Sequence, residues 1–312
     1  MPKAVAVILL NWNTPVHTAN CIKSLQQHCD ASLFDIIVAD NGSRDNSLEL
    51  LSAEFPDIYF IANGENLGFA EGNNKALEHS IAHGYTYSLL INTDTLVNED
   101  IVTRLKTHLD QHPEAASVQP AIFWMHNRNS IWNGKGCFNP VLGTTYTYNK
   151  HPPGNGSLNF NKASWNTGCC EIIRNEALQK CGLLNKQFFL YYEDVELSFR
   201  FRRGGYEVHY LPSVKMYHEA GVSAKIEKGE GFLSPVIHYY FARNRIWFLR
   251  EYGIKLFYPV YFIGGLFYYS AVWVYFKLRG RNEKARMLIN GLNEGMFKPK
   301  SLIWPDKYPS QT

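Results

Sequence analysis

Two adjacent carboxylates, Glu193 and Asp194, lie in the stretch Tyr191-Tyr192-Glu193-Asp194-Val195-Glu196, at the expected start of a short helix. Far upstream a third acid, Asp94, closes the segment Asn92-Thr93-Asp94. A positioned carboxylate with an ordinary pKa near ~4 is ionised at neutral pH and can take a proton from a hydroxyl. An Asp at a strand end can share a divalent cation with substrate phosphates. One base and one distant metal-binding acid are what inverting transfer from a nucleoside-diphosphate donor needs, because a metal-bound diphosphate departs without a general acid. Acids opening a helix also have a purely structural use, stabilising its N-terminus by about 0.3–1 kcal/mol. The two roles are compatible: Glu193 can cap the helix or bind acceptor while Asp194 faces a cleft.

The elements that must position these groups read as repeated strand–helix units. Residues 4–10 are a continuous apolar run, as expected of a parallel strand buried on both faces. Thr14-Pro15 offers an N-cap followed by Pro at the first helical position, with Val16, Ala19, Ile22 and Leu25 at helical spacing. A second strand over 35–39 ends at Asp40-Asn41-Gly42-Ser43, and a helix over about 46–54 follows. A short strand near 58–61 leads to Asn66-Leu67-Gly68-Phe69-Ala70 and a further helix. The strand 87–91 stops at Asn92-Thr93-Asp94, after which Asn98 caps a helix bearing Ile101, Val102, Leu105 and Leu109. Such alternation predicts an α/β domain with a mostly parallel sheet flanked by helices. Asn11, Asp40 and Asp94 each end a different strand, where open α/β sheets bind ligands. Each alone is an ordinary turn former; three together favour a site.

Composition excludes several classes. A chain of 312 residues, 46% hydrophobic and 14% aromatic, can bury a large core as one domain or one and a half. A net charge of +3 is too mild for a nucleic-acid binder, so no nucleic-acid partner is expected. The six Cys have neither CxxC pairing nor zinc-type spacing with His, and the N-terminus lacks a signal-peptide layout; reduced core thiols in a cytoplasmic protein are expected. No Gly-x-Gly-x-x-Gly follows the first strand and no Gly-x-x-x-x-Gly-Lys occurs, which argues against a Rossmann dinucleotide site or a Walker phosphate loop.

The ordered motifs resemble the inverting family 2 glycosyltransferases of the GT-A fold, particularly their bacterial rhamnosyltransferase-like branch. The matching segments are Val7-Ile8-Leu9-Leu10-Asn11-Trp12-Asn13, Val38-Ala39-Asp40-Asn41-Gly42-Ser43-Arg44-Asp45, Asn66-Leu67-Gly68-Phe69-Ala70-Glu71-Gly72-Asn73-Asn74 and Leu90-Ile91-Asn92-Thr93-Asp94. Tyr191-Tyr192-Glu193-Asp194-Val195-Glu196-Leu197 and His218-Glu219-Ala220-Gly221-Val222-Ser223 complete the set, which runs over roughly residues 4–250. The resemblance implies that Asp40 contacts the nucleobase, with Asn11, Asn13 and Asn41 in the same nucleotide pocket. It makes Asn66, Gly68 and Asn73 part of a loop over the ribose and diphosphate, with Asn92 beside them. Asn92-Thr93-Asp94 stands at the family's DXD position, with Asn in place of the first Asp. Asp94 is then the best metal ligand and His218 the late one, for Mg²⁺ or Mn²⁺. Without the resemblance, a lone His after a strand is more often structural. Asp194 becomes the general base. Trp165-Asn166-Thr167-Gly168-Cys169-Cys170 resembles an acceptor-side segment, giving Trp165, Thr167 and Gly168 as acceptor candidates together with Arg243. Trp165, Trp132 and Trp124 are candidates for stacking on sugar rings, or core residues. The stretch 121–164 shows no clear periodicity and reads as a variable acceptor loop region.

The expected domains are a catalytic unit over 1–235, with a donor half about 1–120 and an acceptor half about 121–235, and a helical, aromatic C-terminal region over 236–312. Residues 256–276 carry no charge and are long enough to span a bilayer, which takes about 20 apolar residues. Pro259, Gly264-Gly265 and five Tyr argue against a clean span and for the interface, followed by Lys277, Arg279, Arg281, Lys284 and Arg286 suited to anionic headgroups. A helical pair packed on the catalytic unit, or a homodimer contact, is the alternative. The expected partners are therefore a sugar nucleotide, a glycan or lipid-linked glycan acceptor, and the inner face of the cytoplasmic membrane. L-rhamnose from dTDP-rhamnose is the leading donor; UDP-galactofuranose, UDP-GlcNAc and UDP-glucose are alternatives. A catalytically inactive glycan- or nucleotide-binding scaffold is the reading from another class.

Overall fold

Val5–Asn11 forms the first strand, β1, and its side chains alternate between two cores: Val5, Val7 and Leu9 face one layer, Ala6 and Ile8 the other. The computed structural model describes residues 3–149, 161–221 and 233–304. Helix α1 (Pro15–His28), strand β2 (Phe34–Asp40), helix α2 (Ser47–Glu54), strand β3 (Tyr59–Ala62), helix α3 (Gly68–Ala82) and strand β4 (Tyr87–Ile91) follow in alternation. Then come β5 (Thr95–Leu96), α4 (Ile101–Gln111), β6 (Ala115–Trp124), β7 (Ile131–Asn133), β8 (Lys135–Asn139), β9 (Thr144–Tyr148), β10 (Cys170–Arg174), α5 (Asn175–Cys181), α6 (Glu193–Arg203) and β11 (Glu207–His218). The C-terminal helices are α7 (Pro235–Tyr252), α8 (Tyr258–Leu278), α9 (Asn282–Phe297) and the short α10 (Lys300–Ile303).

The main sheet runs β3-β2-β1-β4-β10-β6-β11-β5, with β7 on β6. The pairs β2–β3, β1–β2, β1–β4 and β6–β11 are parallel. Strand β10 enters antiparallel between β4 and β6, which the alternation of strands and helices does not announce. Helices α1, α2 and α4 cover one face through Ile22, Leu25, Leu51, Val102 and Leu105; α3, α5 and α6 cover the other through Ala76, Leu77, Leu178, Leu197 and Phe201.

The structure departs from three local expectations. The cap of α4 is Asp100, whose carboxylate accepts from the Thr103 N–H at 3.0 Å, rather than Asn98. The described part of 121–164 holds the end of β6, β7 and the β8–β9 hairpin instead of one irregular loop; its short strands are below the length at which periodicity shows. Thr14 does precede α1, but its hydroxyl reaches Asn11 Oδ1 (3.4 Å) and Thr93 Oγ1 (3.3 Å) instead of capping the helix.

The C-terminal helices are tied to α6 by a separate core in which Tyr192, Val195, Trp247, Phe248 and Tyr261 pack together. Beneath it Arg200 holds Glu196 through two contacts, Nε–Oε1 2.9 Å and Nη2–Oε2 2.6 Å, and Tyr252 Oη donates to the same carboxylate at 2.7 Å. Helix α8 buries only Tyr261 and Phe276, leaving Phe262, Ile263, Leu266 and Phe267 exposed. By length and composition the stretch Lys255–Leu278 could cross a membrane.

Removing one member of the Glu196–Arg200 pair strands a buried charge on the helix that opens with Glu193 and Asp194. Glu196→Ala is expected to destabilise the fold by about 3–5 kcal/mol in chemical denaturation, whereas a loss of about 1 kcal/mol or less would show the pair to be a solvated contact.

Candidate active site

The strand ends assemble the metal-ligand candidates. The last residues of β11 pair antiparallel with β5, with His218 opposite Thr95, and Glu219 N donates to Asp94 O at 3.0 Å. This register sets His218 Nε2 3.0 Å from Asp94 Oδ1, with both side chains buried. Two ligand atoms about 3 Å apart is the separation of neighbouring ligands around a cation at about 2.1 Å in octahedral geometry. The pair therefore fits one face of a divalent ion, leaving other positions for substrate oxygens. The Trp132 ring stands edge-on to His218 at 4.3 Å, and His218 Nδ1 is buried without a hydrogen-bond partner. Asn92 lines the cleft, while its backbone is held by Cys169 O (2.8 Å) and the Thr95 hydroxyl (2.7 Å).

The loop at Asn66–Gly68 is held by Asn41. Its Nδ2 donates to Asn66 Oδ1 (3.1 Å) and Gly68 O (3.2 Å), while its Oδ1 accepts from Leu67 N (3.1 Å) and Asn63 Nδ2 (3.2 Å). Gly68 turns the chain into α3 with φ +77°, and a Cβ there would lie 2.6 Å from both the ring and the carbonyl of Phe189. The Phe189 carbonyl accepts from Phe69 N (2.6 Å) and Ala70 N (3.3 Å), satisfying two free N–H groups at the start of α3.

Asn11, Asn13, Asp40 and Asn73 do not form the wall of this cleft. Asp40 accepts from Asn11 Nδ2 (2.8 Å) and Ser43 N (2.9 Å), and Asn11 Oδ1 accepts from Thr18 (2.7 Å). Asn13, with φ +55°, accepts from Arg44 N at 2.7 Å, and Asn73 donates to Phe69 O at 2.9 Å. Their polar atoms hold the β1 and β2 ends and the start of α3 in place behind Asn41.

The carboxylates follow a strained turn. Phe189, Tyr191 and Tyr192 have φ of +63°, +68° and +69°, a conformation that costs a non-glycine residue roughly 1–2 kcal/mol. Helix α6 then begins at Glu193. Asp194 Oδ2 accepts from Gly168 N (3.1 Å) and Oδ1 from Val195 N (2.7 Å). A Cβ on Gly168 would press on the Phe69 ring at 2.8 Å, so glycine lets that ring pack against this segment. Burial raises the Asp194 pKa above its usual value, and the two N–H groups pull it back. Glu193 is buried with Oε2 unpartnered; burial, then the charge of Asp194, pushes it well above the carboxylate range. The shared proton therefore goes to Glu193 before Asp194.

Asp94, His218, Glu193, Asp194, Asn41, Asn66, Gly68, Thr167 and Gly168 line one cleft of about 700 Å³. Trp12, Phe189 and Tyr240 also line it and were not singled out from sequence. Trp12 is 38% exposed between Asn11 and Asn13, but a Trp at a strand end carries no sequence mark separating cleft from core. Two acceptor candidates lie elsewhere. Trp165 is buried, with Nε1 donating to Cys137 O at 3.0 Å. Arg243 is buried on α7, and its guanidinium donates to Gln187 O and Phe188 O, both at 2.9 Å, because the aromatic helix packs it inward. Val222 and Ser223 lie outside the described residues.

Behind Asp194, a buried polar layer was also missed. Asn166 N donates to Ser198 Oγ (3.0 Å), Ser198 Oγ to Asp194 O (2.9 Å), and Asn166 Nδ2 to Ser117 Oγ (3.1 Å). Glu171, on β10, is buried beside this layer with Oε1 unpartnered, and burial raises its pKa from 4.5 to about 8. Another ionisable cluster lies at the far end of β11: His108 Nε2 contacts His209 Nδ1 (2.9 Å), and His209 Nε2 contacts Glu207 Oε2 (3.0 Å). Lys162 pairs with Glu207 there.

One cleft at the strand ends thus holds a carboxylate–imidazole pair at one side and buried acids at the other. The chain belongs to the Glycosyl transferase family 2, whose model matches residues 6–182, more than half its length. It is a glycosyltransferase of the GT-A fold. It is 22% identical over 262 residues to the dTDP-rhamnosyl transferase RfbF of Shigella flexneri, covering 82% of this chain and 83% of that one. It is likewise 22% identical over 241 residues to the N-acetylglucosaminyl-diphospho-decaprenol L-rhamnosyltransferase of Mycobacterium tuberculosis (70% of this chain, 76% of the relative). Among solved structures, a mannosyltransferase from Pyrobaculum calidifontis in complex with GDP-Man and Mn²⁺ superposes with TM-score 0.55 at 14% identity, over 97% of this chain and 83% of that one. GalNAc-T7 with UDP, GalNAc and Mn²⁺ gives TM-score 0.59 at 12% identity over 78% of this chain, which spans only about half (51%) of that protein.

The buried Glu171 has a pH signature. Its folded pKa lies above its unfolded one, so its contribution to stability is complete below pH 4.5 and is lost as pH rises toward about 8. Comparing wild type with Glu171→Gln by urea denaturation between pH 5 and 8, wild type is expected to lose up to about 1.4 kcal/mol more per pH unit. Parallel curves would mean that Glu171 is ionised in the fold.

Proposed function

We propose that this glycosyltransferase inverts the anomeric centre by direct displacement, with Asp194 as general base. The observation that carries the reading is a carboxylate fixed by Gly168 N and Val195 N in the same cleft as the Asp94–His218 pair. Asp194 takes the proton of the acceptor hydroxyl while that oxygen attacks the anomeric carbon and the bond to the diphosphate breaks. Glu193, which takes up the pair's proton first, offers its carboxyl hydrogen to a substrate oxygen and satisfies its own buried Oε2. Asn41, Asn66, Gly68 and Asn92 flank the nucleotide and diphosphate; Thr167 and Gly168 face the acceptor. Asp40, Asn11, Asn13 and Asn73 act on the nucleotide by fixing that frame.

Asp94 and His218 would hold a divalent cation, which neutralises the departing diphosphate. One carboxylate with one imidazole is a softer donor set than Mg²⁺ prefers, which favours Mn²⁺. For the donor, dTDP-L-rhamnose is favoured by the similarity to the dTDP-rhamnosyl transferase of Shigella flexneri, and a polyprenyl-diphosphate-linked glycan acceptor by that to the mycobacterial rhamnosyltransferase.

The acceptor's lipid would bring it to the exposed apolar side of α8. Phe262, Leu266 and Phe267 there, with Lys255 before and Lys277, Arg279 and Arg281 after, suit peripheral binding to the inner face of the cytoplasmic membrane.

Nucleoside-diphosphate release from UDP-, dTDP- and GDP-sugars, with lipid-linked glycan present, tests the chemistry. One donor is expected to respond, more strongly with Mn²⁺ than Mg²⁺. Asp194→Asn should lower kcat by about 10²–10⁴-fold while nucleotide affinity stays within about threefold. Undiminished turnover in Asp194→Asn would remove it as the base; silence of wild type with nucleotide binding intact would favour a scaffold. Separately, Phe262→Glu with Phe267→Glu should weaken sedimentation with anionic vesicles by about tenfold or more, and unchanged binding would move the membrane contact off α8.

A further inference from the structure

The turn that delivers Glu193 and Asp194 is held only in part by its own backbone, through Leu190 N to Phe188 O (2.7 Å) and Phe189 N to Lys186 O (3.1 Å). The side chains that meet its other carbonyls come from a helix fifty residues later in the chain. Asn244 on α7 is fully buried, and its Nδ2 approaches Phe188 O (2.9 Å), Leu190 O (2.8 Å) and Tyr191 O (2.7 Å). Its Oδ1 accepts from Arg243 Nε at 2.8 Å, which fixes the amide's orientation. Arg243 covers Gln187 O and Phe188 O. The guanidinium lies 4.1 Å from the Trp247 ring and 3.6 Å from Glu294 of α9. Two consecutive side chains thus serve carbonyls at four of the five positions from Gln187 to Tyr191. The carbonyl at the remaining position, Phe189, caps the donor-side helix α3.

We propose that Arg243 and Asn244 are positioning residues for the reaction: they clamp the Gln187–Tyr192 turn so that Asp194 and Glu193 meet the cleft. The C-terminal helices are on this view a working part of the active site. The role rests on the transferase reading above, since a clamp on an idle carboxylate would have no catalytic consequence. Neither residue touches the cleft, so the loss appears in the chemical step and not in donor capture. Asn244 cannot be replaced by an isostere lacking the amide hydrogens, because an oxygen in their place would face three carbonyl oxygens.

Asn244→Asp keeps the volume and the acceptor for Arg243 but removes the donor; Arg243→Lys keeps charge and ring contact but loses the fork. In both, kcat for nucleotide release is expected to fall by about a hundredfold with donor KM within about threefold. Amide exchange over 188–195 should accelerate by about tenfold or more while that of β1 and β2 stays unchanged. Exchange unchanged across the turn, or kcat within about threefold of wild type, would overturn the proposal. A fall in kcat with a parallel rise in KM and faster exchange throughout the sheet would also overturn it, as general destabilisation. Should wild type turn over no donor, the transferase reading fails by itself. The exchange measurement then decides whether the clamp exists, and a clamp on an inactive site would count against the positioning role.

Discussion

The carbonyl of Phe189 is the point on which the cleft depends. It accepts from Phe69 and Ala70 at the opening of α3, so the donor-side helix starts where the acid-bearing turn lies. These two bonds are separate from those that Arg243 and Asn244 make to the neighbouring carbonyls, so the start of α3 keeps its cap through Phe189 itself. Gly68 makes the approach possible, since any side chain there would meet the Phe189 ring and carbonyl. The two halves of the site thus share a backbone contact that no side-chain substitution can reproduce elsewhere.

A second constraint is the cost of burying acids. Glu193, Asp194 and Glu171 are enclosed near one another, and an unpaired buried carboxylate is expensive. The structure separates the three by what each can accept. Asp194 has two backbone N–H groups and is the one best able to stay charged. Glu193 and Glu171 each keep an oxygen without a partner, and both are pushed toward the protonated form. One ionised carboxylate beside neutral ones is the arrangement a base needs, because like charges alongside would raise its pKa until it held its own proton. At neutral pH the ordinary carboxylate value assumed from sequence is therefore replaced by a balance of burial and hydrogen bonds.

Much of this was legible in the sequence, unevenly. The buried parallel strands showed as apolar runs, and the polar groups at their ends showed as motifs, so Asp94, His218, Glu193 and Asp194 converge as their order implied. The antiparallel strand β10 was not legible, because strand direction leaves no trace in periodicity. Nor was the division of labour among the amides. Asn11, Asn41 and Asn73 share a residue type and a neighbourhood, yet Asn41 lines the cleft while Asn11 is consumed by the Asp40 and Thr18 side chains and Asn73 by the Phe69 carbonyl. Arg243 misled for a related reason. A cation in an aromatic helix reads as a surface or ligand-facing charge, but inward packing against Trp247 and carbonyl acceptors stabilises it buried. Such choices depend on contacts between segments far apart in the chain.

The same contacts bear on how the proposed lipid-linked acceptor would reach Asp194. Helix α7 lines the cleft with Val236, Ile237 and Tyr240, and its buried face packs Trp247 and Phe248 against Tyr192 and Val195. Helix α8 follows after a short break, is joined back to this core by Tyr261, and turns Phe262, Leu266 and Phe267 outward. Apolar side chains are thus found both on the exposed side of α8 and on the cleft wall formed by α7. A lipid tail held at α8 would keep the reacting end of its glycan near the cleft, raising its local concentration there without any contact to the sugar itself. Sugar recognition would then be left to the few polar groups around Thr167 and Gly168, while the aromatic wall of Phe189 and Tyr240, stacked at 4.9 Å, admits rings without fixing their hydroxyl pattern. On the proposed membrane contact, α8 would meet the lipid while α7 holds the acid-bearing turn.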